Sequence, residues 1–182
     1  MMPLIADERS GAAPIATLEE LARILDGVLL PEAYGTAMQR VAISPAVLEP
    51  LCLWNPRQYS RQCLHRTHSH ELLLICYEPG QRTSIHDYDS QSAWIKPVLG
   101  QVVEERFGLA PDGSLVRQGM QVLSTGKLEH LGGEGTIHRH SNPGPGRAIT
   151  LNLYARPIRR WRVYDERTGS SSLSGTPDAA SE

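Results

Sequence analysis

The spacing of hydrophobic positions changes near Trp54-Asn55-Pro56. Before that point apolar residues recur at helical intervals: Leu18, Leu21, Ile24 and Leu25 form one stripe, and Thr17 stands three residues ahead of Glu20, the spacing of a capping box. This predicts a helix opening after Thr17. A second helix is expected from about Pro31 to Val41, with proline in the first turn, and a short third one after Ser44. Beyond Pro56 short apolar runs alternate with glycine, proline and aspartate clusters. The runs are Glu71–Tyr77, Ser92–Leu99, Gln101–Phe107, Gln118–Leu123, Leu128–Leu131, Ala148–Tyr154 and Trp161–Tyr164. Pro79-Gly80, Leu99-Gly100, Pro111-Asp112-Gly113, Gly132-Gly133 and Pro143-Gly144-Pro145-Gly146 supply the turns. Many short strands without intervening helices predict an antiparallel sandwich or barrel. The expected fold is mainly β, a small jelly-roll-like barrel preceded by short helices. Residues 1–16 read as a flexible N-terminus and residues 168–182, TGSSSLSGTPDAASE, as a disordered tail. The folded part is then one domain over residues 17–167, with no internal repeat.

Composition narrows the classes. The chain has 182 residues, 40% hydrophobic and 21% charged, with a formal net charge of −2 and a pI near 6.4. That is enough apolar material for one core, and it argues against a dedicated nucleic-acid binder, which would carry a basic stripe and a high pI. No apolar run approaches the roughly 18–20 residues that span a bilayer, and the N-terminus lacks a secretory pattern. Three cysteines, Cys52, Cys63 and Cys76, are too few and too irregular for a disulfide framework. A cytoplasmic protein is the expectation, with neither nucleic acid nor membrane as partner.

Seven histidines are the conspicuous polar resource. His86 ends the stretch Gly80-Gln81-Arg82-Thr83-Ser84-Ile85-His86, with Tyr88 and later Gly100 beyond it. His138 follows Gly133 and is followed by His140 and Asn142. Glycine, a spacer and a histidine, then a second such segment closing on asparagine, is the two-motif pattern of cupins. Their metal hangs inside a small β-barrel on imidazoles from two separate hairpins. Residues i and i+2 of a strand face one side, so paired ligands share one wall of a barrel. Neutral imidazole suits first-row metals.

Several further stretches extend the likeness. They are Tyr59-Ser60-Arg61; Leu72 through Gly80; Ser84-Ile85-His86-Asp87; Leu99-Gly100; Ile137-His138-Arg139 with Asn142; Ala148 through Tyr154; and Tyr164 through Gly169. In order and spacing, across roughly residues 50–169, the sequence resembles the cysteine dioxygenase family of thiol dioxygenases, cupin-type barrels. The resemblance implies one mononuclear non-haem iron, Fe(II), per chain, held by three histidines. It also implies a small thiol with a carboxylate and O2 as substrates, a sulfinic acid as product, and a monomer. Residue by residue, His86 and His138 resemble two metal ligands, Arg61 the carboxylate clamp with Tyr59 beside it, and Tyr154 the tyrosine whose hydroxyl faces bound oxygen. A guanidinium matches a carboxylate as a two-pronged donor.

The departures are informative. The second histidine of the family's first-motif pair is Tyr88 here. The cysteine that some members link to the tyrosine is Ala93. The family's serine–histidine–tyrosine relay reads Thr150, Asn152, Tyr154, and an asparagine cannot titrate as an imidazole does. For the third ligand, four readings stay open at this point: Tyr88 as a phenolate, His140 turned inward, water or substrate completing a two-histidine site, or loss of the metal. His65, His68 and His70, three histidines within six residues, invite a second metal site and can bind metal adventitiously, but a solvated loop is the preferred reading; Cys63 is read as a loop thiol and Cys76 as a small core residue. The functional expectation is a thiol-oxidising dioxygenase. The alternatives are a diverged cupin enzyme performing another oxidative step on a specialised metabolite, and a ligand-binding cupin without catalysis.

Overall fold

The computed structural model describes residues 12–89, 92–132 and 136–175. Three helices lead: α1 (Leu18–Asp26), α2 (Glu32–Arg40) and α3 (Pro45–Leu48), the last running into a single 3-10 turn at Glu49–Leu51. The Thr17 hydroxyl accepts the Glu20 amide at 3.1 Å, so the cap read from the sequence opens α1. Ser44 does the same for α3, accepting the Ala46 amide at 3.3 Å.

Strands fill the rest: β1 (Ser60–Arg66), β2 (His70–Tyr77), β3 (Ile85–Tyr88), β4 (Ser92–Leu99), β5 (Gln101–Leu109), β6 (Leu115–Ser124), β7 (Glu129–Gly132), β8 (Ile137–Ser141), β9 (Ala148–Ala155), β10 (Arg160–Tyr164) and β11 (Ser171–Gly175). They form two sheets, ordered β1-β2-β9-β4-β7 and β11-β10-β3-β8-β5-β6, and their pairings are antiparallel. The mainly β, jelly-roll-like architecture with short leading helices is the one the sequence predicts.

The first sheet is covered on both faces, which is why β2 and β9 are buried along their whole length. Alternate residues divide between two cores. Leu72, Leu74, Cys76, Ile149, Leu151 and Leu153 pack outward under α1 and α2, against Leu21, Leu25 and Met38. Leu73, Ile75, Tyr77, Ile95 and Tyr154 point the other way and meet Tyr88, Val102 and Leu123 from the second sheet. Helix α2 comes in closely at Gly35, where a β-carbon would stand 2.9 Å from Trp94 Nε1. The site lies in the second core, between the sheets.

The structure moves both domain boundaries. Ile15 is fully buried in the helix-side core and bridges Val41 in parallel, its amide donating to Arg40 O at 3.0 Å. At the other end Ser171–Gly175, inside the expected tail, pairs with β10 from Tyr164 to Arg160. That strand is held by its backbone ladder and its side chains are mostly exposed, so composition gives no sign of it. The remainder of both segments, residues 1–11 and 176–182, lies outside the described residues. Cys63 and His65 are on β1, and His70 opens β2 fully buried; of the expected histidine loop only His68 stands on the connection, exposed.

Candidate functional site

Strands β3 and β8 are short and polar, and they meet at a single register pair, His86 opposite His138. The two rings lie 4.5 Å apart, centroid to centroid. His86 Nδ1 donates to the Ser84 carbonyl at 2.9 Å, and His138 Nδ1 donates to the Thr136 carbonyl at 2.9 Å. A carbonyl only accepts, so each contact fixes the proton on Nδ1 and leaves the Nε2 lone pair as the ligating atom. His140, two residues along β8 and on the same side, stacks edge-on at 5.2 Å from His138. Its Nε2 is buried with no hydrogen-bond partner among the described residues. Burial holds all three imidazoles below the usual histidine range, His138 well below it and His140 at about 3. Near neutral pH all three are therefore uncharged, the form that binds metal.

Tyr88 sits on the same wall of β3, edge-on to His138 at 5.3 Å and to Tyr154 at 5.2 Å. Its hydroxyl is also buried without a partner among the described residues, and burial pushes its ionisation well above the normal phenol range. Tyr154 accepts a hydrogen bond from Asn152 Nδ2 at 3.3 Å, a contact that does not use its own O–H hydrogen. Ala93 lies directly across the ladder from Tyr154. A methyl group therefore occupies the position from which a thiol would have to reach the ring. Behind β3, Asp87 accepts from the Tyr164 hydroxyl at 2.7 Å and from the Arg162 amide at 3.2 Å. These bonds pin the histidine-bearing strand to β10.

On the opposite wall, β1 carries Arg61. Tyr59, immediately before that strand, stacks on Tyr77 with centroids 5.7 Å apart. The space between is a cavity of about 150 Å³, lined by Tyr59, Arg61, His86, Tyr88, His140 and Tyr154 among others; His138 stands behind it, against His86 and His140. Arg61 Nη2 is 3.8 Å from the carboxylate of Glu71. Glu71 is buried on β2 and also paired with Arg66. One carboxylate thus serves two guanidinium groups, and this wall keeps a surplus of positive charge.

Two carboxylates of the barrel escape a reading built on histidines. Glu71 faces inward from an apolar run. Glu104 pairs in register with His140 and is fully buried. Its Oε2 accepts from Arg106 and Gln121, while its Oε1 has no partner among the described residues. Alternation was the available signal for Glu104, since Val102 and Glu104 occupy the same inward phase of β5.

The donor set fits a first-row metal. Two imidazoles have their tautomers fixed for ligation, and a third imidazole and a phenol are both buried with unused polar atoms. The ligand atoms of the three histidines do not all lie within 4.8 Å of one another. Among the described residues, Asp26, His65 and His70 are the one group of three or more His, Cys, Asp or Glu side chains whose ligand atoms all lie within 4.8 Å of one another. They lie on the other face of the first sheet.

Comparison with known proteins bears on the family of the chain. The family profile of cysteine dioxygenase type I matches residues 31–167. Cysteine dioxygenase type 1 of Danio rerio is 24% identical over 168 residues, 84% of this chain and 81% of the relative. The Bos taurus protein is 23% identical over 176 residues, covering 89% and 86%, and the Homo sapiens protein 25% identical over 168 residues, covering 84% and 81%. In fold, the chain is similar to a Klebsiella pneumoniae protein with a double-stranded β-helix domain, with a TM-score of 0.51, 13% identity and coverage of 70% and 87%. A Thermus thermophilus protein gives a TM-score of 0.50 at 19% identity, covering 60% of this chain and 93% of that one. A profile that runs from α2 past β10, and relatives that align along more than four-fifths of their own length, make this chain a member of the cysteine dioxygenase family.

Proposed function

We propose that this protein is an iron-dependent oxygenase that adds both atoms of O2 to the sulfur of a small thiol bearing a carboxylate, giving a sulfinic acid. Family membership supports the dioxygenase class. The substrate reading rests on the small cavity between a guanidinium wall and a histidine wall. The chemistry balances without an external reductant, because the electrons that sulfur loses as it gains two oxygens are those that O2 accepts. Iron, when bound, supplies the redox centre at which thiolate and O2 meet.

The chain's own residues do the rest. Arg61 takes the substrate carboxylate in a two-pronged contact, helped by the sharing of Glu71 between two guanidiniums. Tyr154, oriented by Asn152, directs its O–H into the cavity as a hydrogen-bond donor to oxygen. His86 and His138 supply two metal-binding nitrogens. For the third ligand the balance of charge favours His140: it is neutral already, whereas Tyr88 would have to lose a proton that burial holds tightly. Ligation by all three histidines requires their nitrogens to draw together, since they do not all lie within 4.8 Å of one another.

The test is iron per chain after anaerobic Fe(II) loading and desalting, followed by oxygen uptake with cysteine and 3-mercaptopropionate. Wild type and Tyr88→Phe are expected to retain iron and His140→Ala to lose it. Thiol-dependent uptake should place both oxygen atoms of labelled O2 in the product. An iron-loaded protein that consumes no O2 with any carboxylate thiol would sink the proposal. The combination of Tyr88, Ala93 and Asn152 favours a second reading, another oxidative step on a different metabolite. Turnover of such a substrate with cysteine silent would select it.

A further inference from the structure

The outer face of the first sheet carries a second cluster of metal-binding groups, independent of the barrel. Asp26 is the last residue of α1, His65 lies on β1 and His70 opens β2. The β1–β2 register shifts between Cys63 and His65. This irregularity sets His65 opposite Leu72, on the helix-facing side that His70 shares. His65 Nε2 is 2.7 Å from Asp26 Oδ1, His70 Nε2 is 3.7 Å from the same oxygen, and the two rings lie 5.3 Å apart. Glu71, the neighbour of His70, points to the opposite side, toward Arg61, so the thickness of the sheet separates this cluster from the cavity.

His70 gives the second, independent observation. It is fully buried, and its Nδ1 lies 3.1 Å from Thr67 Oγ1, 3.2 Å from Ser69 Oγ and 3.3 Å from Tyr34 Oη. That nitrogen is held by a ring of hydroxyls. Its Nε2 faces Asp26 and His65 and has no hydrogen-bond partner among the described residues. An imidazole anchored through one nitrogen, with the other unsatisfied and aimed at a carboxylate and a second imidazole, is the arrangement that outer contacts give a metal-binding histidine.

We propose that Asp26, His65 and His70 bind a divalent cation of the zinc class, with water in the fourth position. Two imidazoles and one carboxylate suit zinc in tetrahedral coordination. Asp26 is half exposed, so cation and water have a path in. Bound there, the cation ties the C-terminal end of α1 to the first two strands and acts as a staple on the helix-covered face rather than as a reaction centre.

The experiment uses the full chain with the barrel site disabled by His138→Ala, stripped with a chelator and titrated with Zn(II), and with Co(II) as a spectroscopic probe. One zinc per chain is expected, with a rise in Tm and the visible absorption of tetrahedral cobalt. Adding His65→Gln or Asp26→Asn should weaken binding by more than about 100-fold, beyond what loss of an outer contact alone costs, and abolish the cobalt bands. Asp26→Asn keeps the shape of the side chain and an acceptor for His65, so it distinguishes lost ligation from lost folding. His68→Ala, on the exposed connection, should change nothing. Zinc binding that survives both ligand substitutions, that disappears with His68→Ala, or that is absent in the His138→Ala chain would overturn the assignment.

Discussion

In the proposed function, Arg61 is the residue that selects a carboxylate in the cavity. Its side chain is 39% exposed and its distance to Glu71 is 3.8 Å, so its charge is available to a ligand rather than spent on the fold. Glu71 keeps Arg66 and the Ile158 amide, at 3.3 Å, when Arg61 is removed. Arg61→Ala is therefore expected to raise KM for a carboxylate thiol about 10- to 100-fold, the worth of a charged hydrogen bond, with Tm nearly unchanged. Arg61→Lys should recover only part of the loss, because an ammonium cannot hold a carboxylate at two points. Steady-state oxygen uptake against thermal unfolding checks both. An unchanged KM in Arg61→Ala would remove Arg61 from substrate binding.

Turns and pairings set the site at the scale of elements. The β4–β5 connection turns at Gly100, whose φ is +66° and where an added β-carbon would lie 2.7 Å from the Arg147 carbonyl. Gly113 also has positive φ, +83°, but open space around it. Both dihedrals disfavour a side chain, and only Gly100 adds a collision with backbone. Gly100→Ala should therefore destabilise by at least about 1 kcal/mol, and by more than Gly113→Ala, in urea unfolding. Equal costs would mean that the turn relaxes freely. Strands β3 and β8 are narrow elements for the task they carry, four and five residues long, and the Asp87 contacts to β10 compensate by clamping β3 from behind.

Burying so many imidazoles gives the whole molecule a pH dependence. His70, His86, His138 and His140 are all held below the usual histidine range, chiefly by burial. Below about pH 6.5 the unfolded chain takes up protons at these positions more readily than the folded chain. Their contribution to stability is thus complete above that pH and is lost as pH falls toward the folded values. For His140, at about 3, the loss between about pH 7.5 and about pH 5 is about 2 kcal/mol. Glu104 works in the opposite sense, because burial raises its carboxyl and acid relieves a buried charge. Chelator-treated protein should therefore show a urea midpoint that falls clearly between these two pH values. A flat profile would mean that the imidazoles reach solvent.

Much of this molecule was legible before folding. The period change after Trp54, the Thr17 cap and the apolar runs of β2, β4 and β9 mark helices followed by strands, because burying apolar area imposes those spacings on any chain that forms them. The family stretches fixed the position of His86, His138, Arg61 and Tyr154 along that pattern. Apolar periodicity did not reveal β1, β3 and β8, which turn polar side chains inward and so carry no apolar run, nor β11, which is held by backbone bonds. Other features depend on residues distant in sequence. Glu71 beneath Arg61, Glu104 opposite His140, and Asp26 beside His65 and His70 are adjacent only once the sheets and helices have packed. A sequence fixes periods and residue types locally; which polar atoms are left buried and unpaired depends on tertiary packing, and those atoms mark where ligands would bind.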